Sequence, residues 1–233
     1  VLGARDDYWG PNKPIAKRIV FTNIPDHQTR LLAMKNGDID GTFDLAISEV
    51  DQWKALGNCD VITAPSLGVF MLTLDHATAP FDDIHVRKAI AYAIDREGLV
   101  KALLKGNGEA ATALNPPEIW TGVLPPEEVK KFYATLPGYG FDLAKAKEEL
   151  AQSGHKDGFD VSVPGNTSDP YMVNILQNVS ENLKQIGINM KVQEVDDNTW
   201  LSGYFRHENL GMQIMAYYPD FADPANYPYL FFD

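Results

Sequence analysis

The residues best placed to do chemistry are two carboxylates near the end of the 233-residue chain, Asp220 and Asp223. They follow Met212 to Tyr218, a run rich in Met and aromatic residues that reads as a strand, and they lie in a turn rich in Tyr, Phe and Pro. In open α/β sheets ligands sit beyond the carboxyl ends of strands. An acid framed by Tyr217, Tyr218 and Phe221 could therefore meet a cationic group in an aromatic cleft. The competing use of such an acid is capping. Asp223 stands directly before Pro224, the pattern of an N-cap with proline in the first turn, and is read as a cap. For Asp220 the residues alone leave capping or turn formation and ligand contact equally open.

The other candidates point away from catalysis. The five histidines (His27, His76, His85, His155 and His207) contain no pair at the i, i+4 spacing of a helical zinc site and none flanks a cysteine, so each is expected to be solvated. There is no nucleophile elbow, P-loop or dinucleotide fingerprint; Gly106 and Gly108 form a lone pair that follows a helix and not a strand. The carboxylate pairs Asp82 with Asp83, Glu127 with Glu128 and Asp196 with Asp197 are adjacent in sequence. Adjacent side chains diverge, so these are assigned to capping and solvation. Asn166-Thr167-Ser168 and Asn178-Val179-Ser180 match the glycosylation tripeptide, a match frequent by chance. No catalytic residue, metal site or cofactor is expected. A hydrolase with an unfamiliar carboxylate site has only Asp220 and Asp223 to motivate it.

Composition narrows the class. With 32 acidic against 20 basic residues the net charge is -12, and no Lys/Arg cluster appears, which excludes a general nucleic-acid binder. A chain that is 45% hydrophobic and 11% aromatic can bury a real core. The single cysteine, Cys59, rules out an internal disulfide and reads as a buried strand thiol. There is no signal peptide, lipid-attachment cysteine or apolar run of membrane-spanning length. Both ends, Val1-Leu2-Gly3 and Leu230-Phe231-Phe232-Asp233, read as cut, so the chain is expected to be a piece of a longer protein.

The elements that must position the acid follow from periodicity and punctuation. Lys17 to Ile24 reads as a strand, then Asp26 caps a helix carrying Leu31, Leu32 and Met34 that stops at Gly37. Ile39 to Leu45 is β-like, Ser48 is placed to cap a helix through Trp53 and Leu56, and Asp60 to Thr63 and Val69 to Leu74 are rich in β-formers. Val86, Ala89, Ile90, Ala93 and Ile94 define an amphipathic helix whose apolar face continues through Leu99, Val100, Leu103 and Leu104. Pro116, Pro117, Pro125 and Pro126 mark an irregular excursion, followed by helices from Glu127 to Leu136 and, after the cap Asp142, from Leu143 to Gln152. Phe159, Val161 and Val163 alternate as a strand. Asp169-Pro170 opens a helix with Met172, Ile175, Leu176, Val179, Leu183 and Ile186 on one face, and Ile188, Met190 and Val192 alternate again. That is a βαβ unit, which implies an α/β fold with a parallel strand pair. Asp197 to His207 reads as one more helix.

Several segments, in order, resemble the family 5 extracellular solute-binding proteins. Asp7-Tyr8-Trp9-Gly10 is similar to the family's Asn-Pro-Asp-Tyr-Trp-Gly. The stretches from Ile19 to Asp26 and from Leu31 to Asp40 resemble its strand, helix and Gly-Xaa-Ile-Asp sequence. Pro80 to Arg96 is similar to its most distinctive run, and Asn115-Pro116-Pro117 and Asp142 to Gly154 follow in the expected order. The resemblance covers nearly the whole chain, although the family's chains are longer at both ends.

The resemblance implies a type II periplasmic-binding fold, a mixed sheet flanked by helices. Residues 1–73 would belong to part of lobe I and residues 74–233 to lobe II, with a chain crossing near Met71 to Leu74. It implies the substrate-binding component of an ABC importer, not an enzyme. Such a component is a monomer, free in the periplasm or lipid-anchored at the cell surface, that captures a peptide between its lobes and delivers it to a membrane permease. A sugar or nickel-chelate receptor of the same family is the alternative. By alignment Tyr217 matches the family's aromatic position and Asp220 the acid that pairs with a peptide's amino terminus. Tyr218 and Phe221 flank them, and Asn166 and Ser168 are further candidates to line the cleft. Dipeptide-specific members carry an Arg before the long helix; Asn166 to Asp169 has none, which argues against strict dipeptide specificity.

Overall fold

The structure is a computed structural model that describes every residue except 44, 46, 65, 207–210 and 233; at 48, 170, 205, 206 and 230–232 it describes the backbone alone. The chain forms two compact units, Val1–Ile62 and Thr63–Asp233.

In the first unit, strands β1 (Leu2–Gly3) and β2 (Arg18–Ile19) pair antiparallel. Helix α1 (His27–Asn36) starts where the Asp26 carboxylate accepts the Thr29 N–H at 2.7 Å, satisfying a donor that has no partner inside the helix. It ends at Gly37, whose left-handed backbone (φ 78°) lets its N–H return to the carbonyls of Ala33 and Met34. A 3-10 turn at Ile47–Glu49 leads into α2 (Val50–Lys54), which buries Val50 and Trp53. The expected cap at Ser48 is a correction: Glu49 is the N-cap residue and makes no side-chain cap bond, and Ser48 lies within the turn.

Three strand expectations here also fail. Of Lys17 to Ile24 only Arg18–Ile19 is paired, and neither 60–63 nor the described residues of 39–45 form a strand. β-Formers become a strand only where a neighbouring backbone takes their N–H and C=O groups, and among the described residues no longer partner lies beside them. Cys59 accordingly is no strand thiol; half-buried, it donates through Sγ to the Trp53 carbonyl at 3.6 Å.

The second unit runs β3 (Val69–Leu74), α3 (Ile84–Ala93), α4 (Arg96–Leu103), a 3-10 turn at Pro117–Trp120, α5 (Pro126–Tyr133), α6 (Leu143–Gln152), β4 (Phe159–Asn166), α7 (Pro170–Lys184), β5 (Ile188–Val195), α8 (Asp197–Arg206), β6 (Met212–Tyr217) and α9 (Asn226–Phe232). β4 and β5 pair parallel from Phe159 opposite Ile188 to Asn166 opposite Val195. Helix α7 crosses between them, as the apolar periodicity requires. The Asp169 carboxylate accepts the N–H groups of Tyr171 and Met172 at its start, and Met172, Leu176, Val179 and Leu183 are buried. β3 and β6 form an antiparallel ribbon from Val69 opposite Tyr217 to Leu74 opposite Met212, with β4 beside β6. Four successive β6 residues, Met212 to Met215, are buried, so both faces of this strand are covered.

Helices α3 and α6 pack together and add Val86, Ala89, Ile90, Ala93, Ala146 and Leu150 to the same core. The Asp83 carboxylate joins them: it caps α3 through His85 N at 2.8 Å and accepts Gly154 N–H, past the end of α6, at 3.0 Å. The Gly154 bond is the main reason its carboxyl is held below the ordinary value of 3.8. His85, expected in solvent, instead reaches across to Glu149 with Nδ1 2.7 Å from Oε2. The apolar face read as continuing past Ala93 is interrupted. Ile94 is extended, Asp95 recaps α4 through Gly98 N, and Arg96 Nη1 donates to the carbonyls of Ala91, Ile94 and Tyr139. One guanidinium thus satisfies carbonyls that the end of a helix leaves open.

Leu176 is fully buried between helix and sheet. Leu176→Ala is expected to lower the unfolding free energy by about 2–5 kcal/mol, a shift readable as a lower urea midpoint at unchanged slope.

Candidate functional site

β6 carries the candidate residues to the edge of the core and releases them into a loop. Tyr217, its last residue, is half-buried, and its ring meets that of Tyr227 edge-on at 5.0 Å and 77°. Its hydroxyl donates to Asn226 Oδ1. Burial, and after it the charge of Asp220 and the neighbouring Tyr204, push the Tyr217 phenol above its ordinary value of 10.0. The Asp220 carboxylate is therefore close enough for its field to be felt at Tyr217. Asp220 itself is exposed, and among the described residues it has no hydrogen-bond or ion-pair partner. Tyr218 and Phe221, which flank it in sequence, are 62% and 60% exposed, large apolar surfaces in the same loop.

The capping work in this loop falls to Asp223 alone. Its Oδ1 accepts Ala225 N–H at 2.8 Å and its carbonyl accepts Asn226 N–H at 3.0 Å, which turns the chain into α9. Further bonds come from far along the sequence. Asn115 Nδ2 donates to the Pro224 carbonyl at 2.8 Å, while the Asn115 carbonyl accepts the Tyr133 hydroxyl at 2.7 Å, and Trp120 Nε1 donates to that same hydroxyl oxygen at 3.1 Å. The proline-rich excursion thus ends as a brace under the loop that carries Asp220. Tyr227 is completely buried and its hydroxyl donates to the Leu67 carbonyl, just before β3. Asn115, Trp120, Tyr133, Asn226 and Tyr227 were not legible as site residues; the only local signal is Asn115, inside the Asn-Pro-Pro motif.

Asn166 and Ser168 sit at a different strand end, that of β4. Asn166 is buried, donating Nδ2 to Asp197 Oδ1 at 2.7 Å and accepting Ser168 N–H at 2.9 Å. Both ends of its amide are engaged in fixing the β4–α7 turn to the start of α8. Ser168 is exposed.

A cavity of 730 Å³ beside the end of α4 is lined by Glu97, Lys101, Lys105 and Glu109 among others, and contains none of the six candidates. Among the described residues no three His, Cys, Asp or Glu side chains gather as for a metal ion, and no helix is long and apolar enough to cross a membrane. His207 lies outside the described residues.

Comparison with known proteins adds ancestry. A family model described as bacterial extracellular solute-binding proteins, family 5 middle, matches residues 1–233. The glutathione-binding protein GsiB of Escherichia coli (strain K12) is 25% identical over 189 residues, which is 81% of this chain and 35% of GsiB. That of Salmonella typhi is 26% identical over the same span and coverage. Among solved structures, the periplasmic binding protein DppA from Helicobacter pylori, in complex with the peptide STSA, superposes with a TM-score of 0.80 at 28% identity, over 97% of this chain and 41% of that one. NikA from Brucella suis, in complex with Fe(III)-EDTA, gives a TM-score of 0.76 at 22% identity over 94% and 45%, a likeness of fold alone. The fold is that of the type II periplasmic-binding class. The chain spans about a third of the length of the curated relatives it matches.

Burial pushes the Tyr227 phenol up to about 12, from 10.0. A phenol whose folded value is raised contributes stability that is fully present below the unfolded value and lost as pH rises toward the folded one, because only the unfolded chain gives up the proton in between. Stability is therefore expected to fall between pH 10 and about 12. Tyr227→Phe is expected to flatten that fall, as read by urea denaturation across this pH range.

Proposed function

The chain belongs to the bacterial extracellular solute-binding proteins, family 5, and from that membership we propose that the full-length protein captures a peptide between two lobes and delivers it to the permease of an ABC importer. It works outside the cytoplasm as a monomer, free in a periplasm or lipid-anchored, and breaks no bond. Residues 1–73 contribute to lobe I and residues 74–233 to lobe II; the crossing near Met71 to Leu74 falls within β3.

The observation that carries the reading is Asp220: an exposed carboxylate, free of partners among the described residues, flanked by two exposed aromatic rings on a loop braced from three directions. A peptide's amino-terminal ammonium supplies what that group lacks. A charge-assisted hydrogen bond of this kind contributes about 1.5–3 kcal/mol, and more once closure of the lobes removes water. Tyr217, Tyr218 and Phe221 give the adjoining residue an apolar wall with cation–π character. Asn166 holds the β4–α7 turn in shape at a second margin of the cleft, with the exposed Ser168 as the group that reaches ligand. The peptide-bound DppA and the glutathione-binding GsiB, both relatives, support a peptide as the ligand class.

In the full-length protein, calorimetry is expected to show binding of short peptides with free amino termini. Acetylating the terminus or making Asp220→Asn is expected to weaken binding by about 10–100-fold each, and the two together by little more than either alone. Equal binding of free and acetylated peptides removes the role of Asp220. Binding of an oligosaccharide or nickel chelate with no binding of peptides replaces the ligand class.

A further inference from the structure

The aromatic wall beside Asp220 rests on bare backbone. In the β3–β6 ladder Val69 faces Tyr217, so Gly68, the residue before β3, falls next to Tyr218. A Cβ added to Gly68 would lie 2.6 Å from Cδ1 of the Tyr218 ring and nearer still to Cε1, closer than carbon atoms approach one another. The obstacle is one of space: Gly68 is not among the glycines at positive φ. Its placement is held from both sides. Its own N–H donates to Ser66 Oγ at 2.9 Å, and the carbonyl of Leu67 accepts the hydroxyl of the buried Tyr227, the ring of which packs on Tyr217. Tyr227 thereby ties the segment 66–68 to Tyr217, the last residue of β6.

We propose that Gly68 is a positioning residue for ligand recognition: its bare Cα lets the Tyr218 ring lie back against the chain entering β3, in the pose that contacts the ligand's amino-terminal residue beside Asp220. Any side chain at this position turns the ring outward, into the place the ligand takes. The proposal rests on the peptide-capture reading and adds to it a residue that touches no ligand. The adjustment is inexpensive for the fold, because what must move is an exposed ring and, by a few tenths of an ångström, the Ser66 hydroxyl at 3.1 Å, not packed backbone.

The test uses the full-length protein, with a pool of two- to five-residue peptides from a casein hydrolysate as probe, retained in equilibrium dialysis and counted by mass spectrometry. Gly68→Ala is expected to lower retention by about tenfold with an unchanged melting temperature, and to have no further effect in a Tyr218→Ala background. Retention by Gly68→Ala equal to that of the unaltered protein overturns the role of Gly68 and leaves peptide capture standing. The same fractional loss with and without Tyr218 also overturns it, because the effect then does not pass through the ring. An unaltered protein that retains no peptide overturns both.

Discussion

A tyrosine with no exposed surface must still place its hydroxyl against an acceptor, and the arrangement around Asp220 depends on where Tyr227 finds one. The acceptor is the Leu67 carbonyl, 160 residues earlier. That one bond fastens α9 to the entry of β3, and β3 in turn is laddered to β6 along its whole length. Between the end of β6 and the start of α9 the loop is then closed at both ends. Tyr217 ties to Asn226, Asp223 turns the chain, and Asn115 takes the Pro224 carbonyl. On the proposed reading such a loop presents the carboxylate already ordered, which removes an entropic cost from binding.

The other carboxylates named above are committed to local structure. Asp223 is committed to a turn, Asp83 and Asp169 cap helices, and Asp197 accepts from Asn166. Asp220 alone among these has no hydrogen-bond or ion-pair partner among the described residues. On the proposed reading it meets a cation, and the aromatic residues next to it in sequence favour a charge attached to a carbon skeleton.

Much of the fold was legible because its determinants are local. Asp26, Asp142 and Asp169 each stand before an apolar period and each caps the helix it announces. The βαβ unit reads directly from alternation, a helical face, and alternation again. Several of the misreadings turn on partners that a local pattern does not show. Lys17 to Ile24 has strand composition, but only Lys17, Arg18 and Ile19 find a neighbouring backbone along β1. The apolar face after Ala93 is continuous in sequence, but Arg96 gathers carbonyls from Ala91, Ile94 and Tyr139 and the helix breaks. At the candidate site Tyr217, Tyr218, Asp220 and Phe221 are neighbours in sequence and so could be named together. Asn115 and Gly68 join them, and Tyr227 is anchored at Leu67, only through contacts across more than a hundred residues, which no local pattern encodes.

The most direct measurement is a crystal structure of the full-length protein with a bound peptide. The account predicts the peptide's amino-terminal nitrogen within about 3 Å of an Asp220 carboxylate oxygen, with the Tyr218 ring against the first residue. An amino terminus paired elsewhere, with Asp220 left in solvent, contradicts it.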